Sequence, residues 1–164
     1  MEHTIKILFV CLGNICRSPL AEGIFRKKIM EKGLSEHFEV DSCGTSDYHI
    51  GDQPDQRTRD NALKHELKLS HRARQISLHD LNKFDYILVM DRDNLIQIKD
   101  LFINDGFRDK YYLLRSFEMG ADSEDVPDPY FGGAAGFENV YQIIDRATEG
   151  LINYLQKANP IQNN

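Results

Sequence analysis

The stretch "VCLGNICRSPLAE", residues 10–22, sets a thiol at Cys11, a second thiol at Cys16 and a guanidinium at Arg17 close together. Leu12, Gly13, Asn14 and Ile15 stand between them, and Ser18 follows. A loop running from a strand into a helix can curl its backbone N–H groups around one anion. The helix N-terminus adds unpaired N–H groups and a partial positive charge. Such a concavity suits a tetrahedral oxyanion such as phosphate. Gly13 and Asn14 tolerate the left-handed backbone angles that a tight cradle requires. Arg17 can grip two phosphate oxygens with its planar fork. Cys11, facing the same donors, would be held as a thiolate, which is a nucleophile aimed at phosphorus.

Other loop chemistries fit worse. A nucleotide-binding loop needs G-x-x-x-x-G-K-[ST], and this stretch has neither the lysine nor the second glycine. A dinucleotide fingerprint needs three spaced glycines, and only Gly13 is present. A buried apolar thiol and a surface arginine would explain Cys11 or Arg17 alone, but not Cys-x5-Arg-Ser at the junction of a strand and a helix.

The surrounding elements must supply that junction. "IKILFV" (5–10) reads as a strand buried on both faces. From Ser18 the pattern turns helical, with Pro19 expected at the first helical position and Gly33 as the stop. "FEVDSCGT" (38–45) reads as a second strand, and a polar loop with Gly51 and Pro54 leads to a helix through "RTRDNALKHEL". "FDYILVM" (84–90) is a third strand with the helix "NLIQIKDLF" (94–102) behind it, and "KYYLL" (110–114) is a fourth. After a long loop, Phe137, Val140, Tyr141, Ile144, Ala147, Leu151 and Leu155 mark a final amphipathic helix. Strands alternating with helices imply a single α/β domain over residues 1–157. It would be a three-layer sandwich, a four-stranded parallel sheet with helices on both faces. Residues 158–164 are expected to form a flexible tail. The C-terminal strand edge, where ligands bind in such sheets, would collect Cys11, Ser42 and Cys43, Asp91 and the loop beyond strand four.

Composition limits the partners. The chain has 164 residues and a net charge of -6, so nucleic acid and anionic membranes are not expected partners. Any anion must bind a local positive site. No stretch approaches the roughly 18 apolar residues of a membrane span, and no secretory leader is evident. Three cysteines, an odd number, point to the cytoplasm rather than to a disulfide scaffold. Zinc is a poor fit, because Cys11 and Cys16 lack a matching Cys/His pair downstream.

On these residues the chain resembles the low-molecular-weight protein tyrosine phosphatases. "CLGNICRSPLAE" near the N-terminus, "DSCGT", "VMDRDN" and "DPYFG" match that family in order and spacing, over residues 5 to about 157. The resemblance implies a protein-tyrosine-phosphatase, a phosphoric monoester hydrolase acting through a cysteinyl-phosphate with no metal or cofactor. Its partners would be phosphotyrosine proteins or peptides, and the chain a monomer or weak dimer. Cys11 would be the nucleophile, with Arg17 and the loop backbone of Leu12, Gly13, Asn14, Ile15, Cys16 and Ser18 binding phosphate.

A tyrosine leaving group, with a pKa near 10, leaves poorly without a proton. Asp128, held between Pro127 and Pro129 in "VPDPYF", is the candidate acid, against the plainer reading of a turn aspartate. Ser18 could cap the first helix or donate to Cys11. Asn14 and Ser42 would brace the loop, and Asp91 would cap a helix or support the site. His71 matches a family position near the loop, but reads more plainly as a solvated histidine. Tyr48, Tyr130 and Phe131 would wall a slot deep enough for a phosphoaryl group. Many relatives carry two adjacent tyrosines where this chain has Tyr130-Phe131, so one candidate phosphorylation site is absent. Relatives acting on phosphoarginine tend to have Thr at the position of Ile15. Arsenate reductases of similar fold use a downstream cysteine relay, and no cysteine follows Cys43. A non-catalytic phosphate-binding module would lack Cys11 or Asp128.

Overall fold

Alternate residues of the first strand point to opposite faces of the sheet, and both faces are apolar, so both must be covered. The computed structural model describes residues 3–106, 108–130 and 132–161. Its four strands are β1 (Ile5–Cys11), β2 (Phe38–Gly44), β3 (Tyr86–Val89) and β4 (Tyr111–Leu113). They pair in parallel in the order β2-β1-β3-β4. The register sets Phe9 beside Ser42 and Leu88, and Cys11 beside Gly44, so the nucleophile candidate ends the central strand.

The helices α1 (Arg17–Glu31), α2 (Gln56–Lys64), α3 (Leu78–Lys83), α4 (Arg92–Leu101) and α5 (Ala134–Ala158) complete the layers. Ile7, Phe9 and Leu88 pack with Leu20, Ile24 and Phe25 of α1 and with Val140, Ile144 and Leu151 of α5. Leu8, Val10, Ile87 and Val89 pack on the other face against Leu81 of α3 and Ile98 of α4. The expected three-layer α/β sandwich is therefore present.

Several boundaries differ from the expectation. α1 begins at Arg17 with Cys16 as its cap, so Pro19 is the third helical residue rather than the first. Its missing N–H costs nothing there, because the first four N–H groups of a helix have no intrahelical partner. β2 ends at Gly44, one residue short of the expected strand, and Ser42 and Cys43 lie inside it. α3 is an element the periodicity did not mark. Its six residues are too few to display a helical stripe, and it is held by a capping box of Ser77 and Asp80. At the C-terminus α5 reaches Ala158, Asn159 Nδ2 lies 3.3 Å from the Tyr86 hydroxyl, and Ile161 packs against the core. Residues 162–164 of the expected tail lie outside the described residues.

α1 buries more than an apolar stripe. Arg17, Ser18 and Glu22 are buried along with Leu20 and Ala21. Buried polar groups at the start of a helix need partners, and those partners define the site.

Candidate active site

The loop from Cys11 to Arg17 turns through Asn14, a non-glycine residue with φ 58°. That left-handed angle costs free energy unless neighbours hold it. Here the holding is extensive. Asn14 Nδ2 donates to Ser18 Oγ (2.8 Å) and to Ser42 Oγ (3.1 Å). Asn14 Oδ1 receives the Arg74 N–H (3.0 Å) and faces His71 Nε2 at 2.7 Å. Ser42 Oγ in turn donates to Glu22 Oε1 (2.8 Å). Gly13 has no left-handed angle. Its lack of a side chain serves space instead, since a Cβ there would lie 3.0 Å from the His49 ring.

The Cys11 sulfur sits inside this frame. The Asn14 N–H points to it at 3.3 Å, and Ser18 Oγ lies 2.9 Å away. Ser18 Oγ accepts from Asn14, and its single proton lies between the Cys11 sulfur and the Cys43 carbonyl oxygen, 3.3 Å away. Ser18 is the second residue of α1 rather than its cap, and its hydroxyl faces Cys11.

Arg17 is only 3% exposed. Its Nη1 donates to Asp91 Oδ2 (2.6 Å) and to the Val126 carbonyl (2.9 Å), and its Nη2 lies 3.8 Å from Asp128 Oδ2. Burial works against its charge, but Cys11 and Asp91 outweigh it and raise its pKa, so the guanidinium stays protonated. Asp91 also caps α4, accepting from the Asn94 N–H at 2.7 Å, so both roles open to it are filled at once. Cys16 is buried with its thiol pushed up to about 12 by that burial.

These groups line a cleft of about 270 Å³, whose walls include Cys11, Leu12, Gly13, Ile15, Cys16, Arg17, Asp128 and Tyr130. Tyr48 and His49 complete the rim. Tyr48 is mostly exposed and Tyr130 half-exposed, so they flank the mouth rather than the floor. Asn14, Ser18 and Ser42 stand behind the loop, and Phe131 lies outside the described residues.

The expectation for His71 needs correction. It is not solvated: its Nε2 faces Asn14, and its Nδ1 lies 3.3 Å from Glu22 Oε1 and 3.8 Å from Asp41 Oδ1. Glu22, His49 and Arg57, which contacts Tyr130, were not singled out from sequence. Glu22 had a readable signal, one helical turn beyond Ser18 and so on the same face of α1. His49 and Arg57 had none, because they reach the site only through tertiary packing.

Among the described residues, Glu22, Asp41 and His71 have the chemistry of metal ligands, with donor atoms within 4.8 Å of one another. Each is already committed to hydrogen bonds or ion pairs: Glu22 with Ser42 and Arg26, Asp41 with Arg74, and His71 with Asn14. The trio braces the loop.

Comparison with known proteins agrees with this geometry. The family model described as low molecular weight phosphotyrosine protein phosphatase matches residues 6–161. A protein of that same description from Schizosaccharomyces pombe is 43% identical over 147 residues, 88% of this chain and 94% of its own. The crystal structure of a protein tyrosine phosphatase from Entamoeba histolytica superposes with a TM-score of 0.88 at 37% identity, covering 94% of this chain and 99% of that one. The structure of a Drosophila arginine phosphatase superposes with a TM-score of 0.87 at 34% identity, covering 93% and 98%. With the signature loop, the parallel sheet and near-complete coverage in agreement, the chain belongs to the low molecular weight phosphotyrosine protein phosphatase family.

Proposed function

We propose that the protein hydrolyses phosphotyrosine in proteins or peptides, and other aryl phosphate monoesters, through a cysteinyl-phosphate. The observation that carries this reading is the meeting of Cys11, Arg17 and Asp128 in one cleft, with the Arg17 and Asp128 side chains 3.8 Å apart. The Cys11 thiolate attacks phosphorus along the line of the ester bond. The Cys11 S–P bond forms as the P–O bond to the phenol breaks, and Asp128 gives its proton to the departing oxygen. Arg17 and the loop N–H groups of residues 12–18 hold the phosphoryl oxygens where negative charge concentrates in the transition state. Water then attacks the phosphocysteine, Asp128 takes its proton, and phosphate leaves.

The rim favours an aromatic ester. Tyr48 and Tyr130 flank an opening with Ile15 and Leu12 beneath them, an apolar collar for a flat ring. Ile15, where relatives acting on phosphoarginine tend to carry Thr, supports phosphotyrosine over phosphoarginine. A nucleophilic thiol suits a reducing compartment, which supports the cytoplasm as the location. No helix among the described residues is long and apolar enough to cross a membrane.

Hydrolysis of phosphotyrosine, phosphoserine and phosphoarginine peptides by the wild type and by Cys11→Ser tests the reading. Preference for phosphotyrosine is expected, with Cys11→Ser inactive yet still binding vanadate, because the cradle is mostly backbone and Arg17. A serine hydroxyl here has no base to activate it, so substantial turnover by Cys11→Ser would exclude the covalent route.

A further inference from the structure

Arg57 stands at the second position of α2, where a positive charge opposes the helix dipole. It is nevertheless tied down on every side that faces protein. Its Nε and Nη2 donate to Asp55 Oδ1 (3.1 Å) and Oδ2 (3.0 Å). Its Nη1 donates to the carbonyl of Tyr130 at 2.7 Å. Its guanidinium carbon lies 5.1 Å from the centre of the Tyr130 ring and 4.8 Å from that of Phe137.

Both ends of this strut reach the catalytic groups. On one side the Asp55 N–H donates to the carbonyl of Ile15, in the phosphate loop, at 2.7 Å. On the other, the N–H of Tyr130 donates to Asp128 Oδ1 at 3.0 Å. Arg57 therefore grips the residue whose own N–H orients the carboxyl of Asp128. The other oxygen, Oδ2, faces Arg17. Asp128 itself is about half exposed and lies in a loop, so it has little packing of its own to hold it.

We propose that Arg57 is a positioning residue: bridging Asp55 and Tyr130, it holds the Asp128 carboxyl over the phosphate loop. The proposal rests on Asp128 being the proton donor. A proton donor contributes only while it lies within hydrogen-bond reach of the leaving oxygen. Loosening Arg57 should therefore weaken the steps that need the proton and spare those that do not. Asp55 serves the same end, because its two-pronged contact fixes the plane of the guanidinium, and the Arg57 contact holds its own carboxyl below the usual range.

The test compares kcat/KM for phenyl phosphate, a poor leaving group, with that for 4-nitrophenyl phosphate, a good one. Arg57→Met keeps the apolar stem over Tyr130 and Phe137 but removes the donors. It is expected to lose about 10-fold on phenyl phosphate, part of the 10²–10⁴ a positioned donor supplies, and under about 3-fold on 4-nitrophenyl phosphate. In Arg57→Met combined with Asp128→Asn, the loss should not exceed that of Asp128→Asn alone, because the two act through one group. Circular dichroism and thermal melting check the fold. If Arg57→Met fails to fold, Arg57→Lys, with one donor cluster and no fork, should show the same leaving-group dependence in weaker form. A uniform loss across leaving groups, or additive losses in the double variant, overturns the proposal while leaving Asp128 as the donor. A uniform loss in Asp128→Asn by itself removes the acid assignment, and the role of Arg57 falls with it.

Discussion

At the scale of single residues, Asp128 and Cys16 invite direct tests. Asp128 accepts from the Tyr130 N–H and faces Arg17, yet stays half exposed, as a group that must meet both a leaving phenol and an incoming water would be. Asp128→Asn should slow phosphotyrosine hydrolysis by about 10²–10⁴-fold, the typical contribution of a positioned proton donor. The loss should shrink as the phenol becomes more acidic, measured across a series of aryl phosphates. Cys16 plays a different part. Burial pushes its thiol up to about 12, so at neutral pH it is a protonated thiol beside a cleft-facing Cys11. Peroxide should oxidise Cys11 first, and Cys16 should then trap the sulfenic acid as a disulfide. Mass spectrometry of peroxide-treated protein should find the 11–16 crosslink, and reductant should restore activity. In Cys16→Ser the inactivation should become irreversible. Direct passage of wild-type Cys11 to sulfinic acid would exclude the trap.

At the scale of elements, the phosphate loop depends on how closely β2 approaches it. A Cβ on Gly44 would lie 2.7 Å from the Leu12 carbonyl oxygen and 3.1 Å from the Gly13 carbonyl carbon, both backbone atoms that cannot swing aside. Gly44 also bridges onward, donating to the Arg74 carbonyl (2.8 Å) and accepting from the Ile76 N–H (2.8 Å). Gly44→Ala should therefore displace either the strand or the loop, at about 1–3 kcal/mol as for other overpacked sites. Thermal melting would register the cost in stability, and kcat/KM should fall further than destabilisation alone explains. Normal activity in a destabilised variant would show that the strand yields and the loop does not. α5 makes a similar approach, since a Cβ on Gly150 would fall 1.9 Å from the Phe117 carbonyl oxygen.

For the whole molecule, a net charge of -6 surrounds a site that must bind an anion. Attraction to the substrate is therefore local, through Arg17 and the loop N–H groups. The acidic residues instead govern how stability depends on pH. Hydrogen bonds from Gln142 and then His65, with help from Asn61, hold Glu138 at about 2 against its ordinary 4.5, although burial works the other way. Burial would raise Asp80, but its bonds from Arg74 and from the Ser77 N–H outweigh this and lower it. Contacts with Lys32 lead in depressing Glu149, and contacts with Arg57 lead for Asp55. A carboxylate whose pKa is lower in the folded state binds fewer protons there than when unfolded. Its stabilisation is complete above the unfolded value and lost as pH falls through the folded one. With ordinary values of 3.8 for Asp and 4.5 for Glu, the melting temperature should hold above about pH 5 and drop progressively below it. Glu138→Gln should remove part of that acid dependence. A melting temperature indifferent to pH between 5 and 3 would mean these contacts do not persist in solution.

The parts legible in the chain alone were those written locally. Apolar runs of strand length alternating with helical stripes specified a parallel sheet between helices, because burial on both faces leaves a pattern within each segment. The anion cradle was legible for the same reason. Cys11, Asn14, Arg17 and Ser18 lie within two turns of chain, and a strand-to-helix junction places their donors together whatever surrounds it. Local reading failed where a residue acts through a partner distant in sequence. His71 looked solvated because nothing near it announces Asn14, 57 positions away. Arg57 drew no reading at all because Tyr130, its partner, lies 73 positions on. Gly13 was credited with a left-handed angle when what it provides is room for His49, from another loop. Such roles depend on which side chains the sheet order and helix packing bring together. Only the tertiary structure decides that, because the partners are chosen by the burial of the chain as a whole.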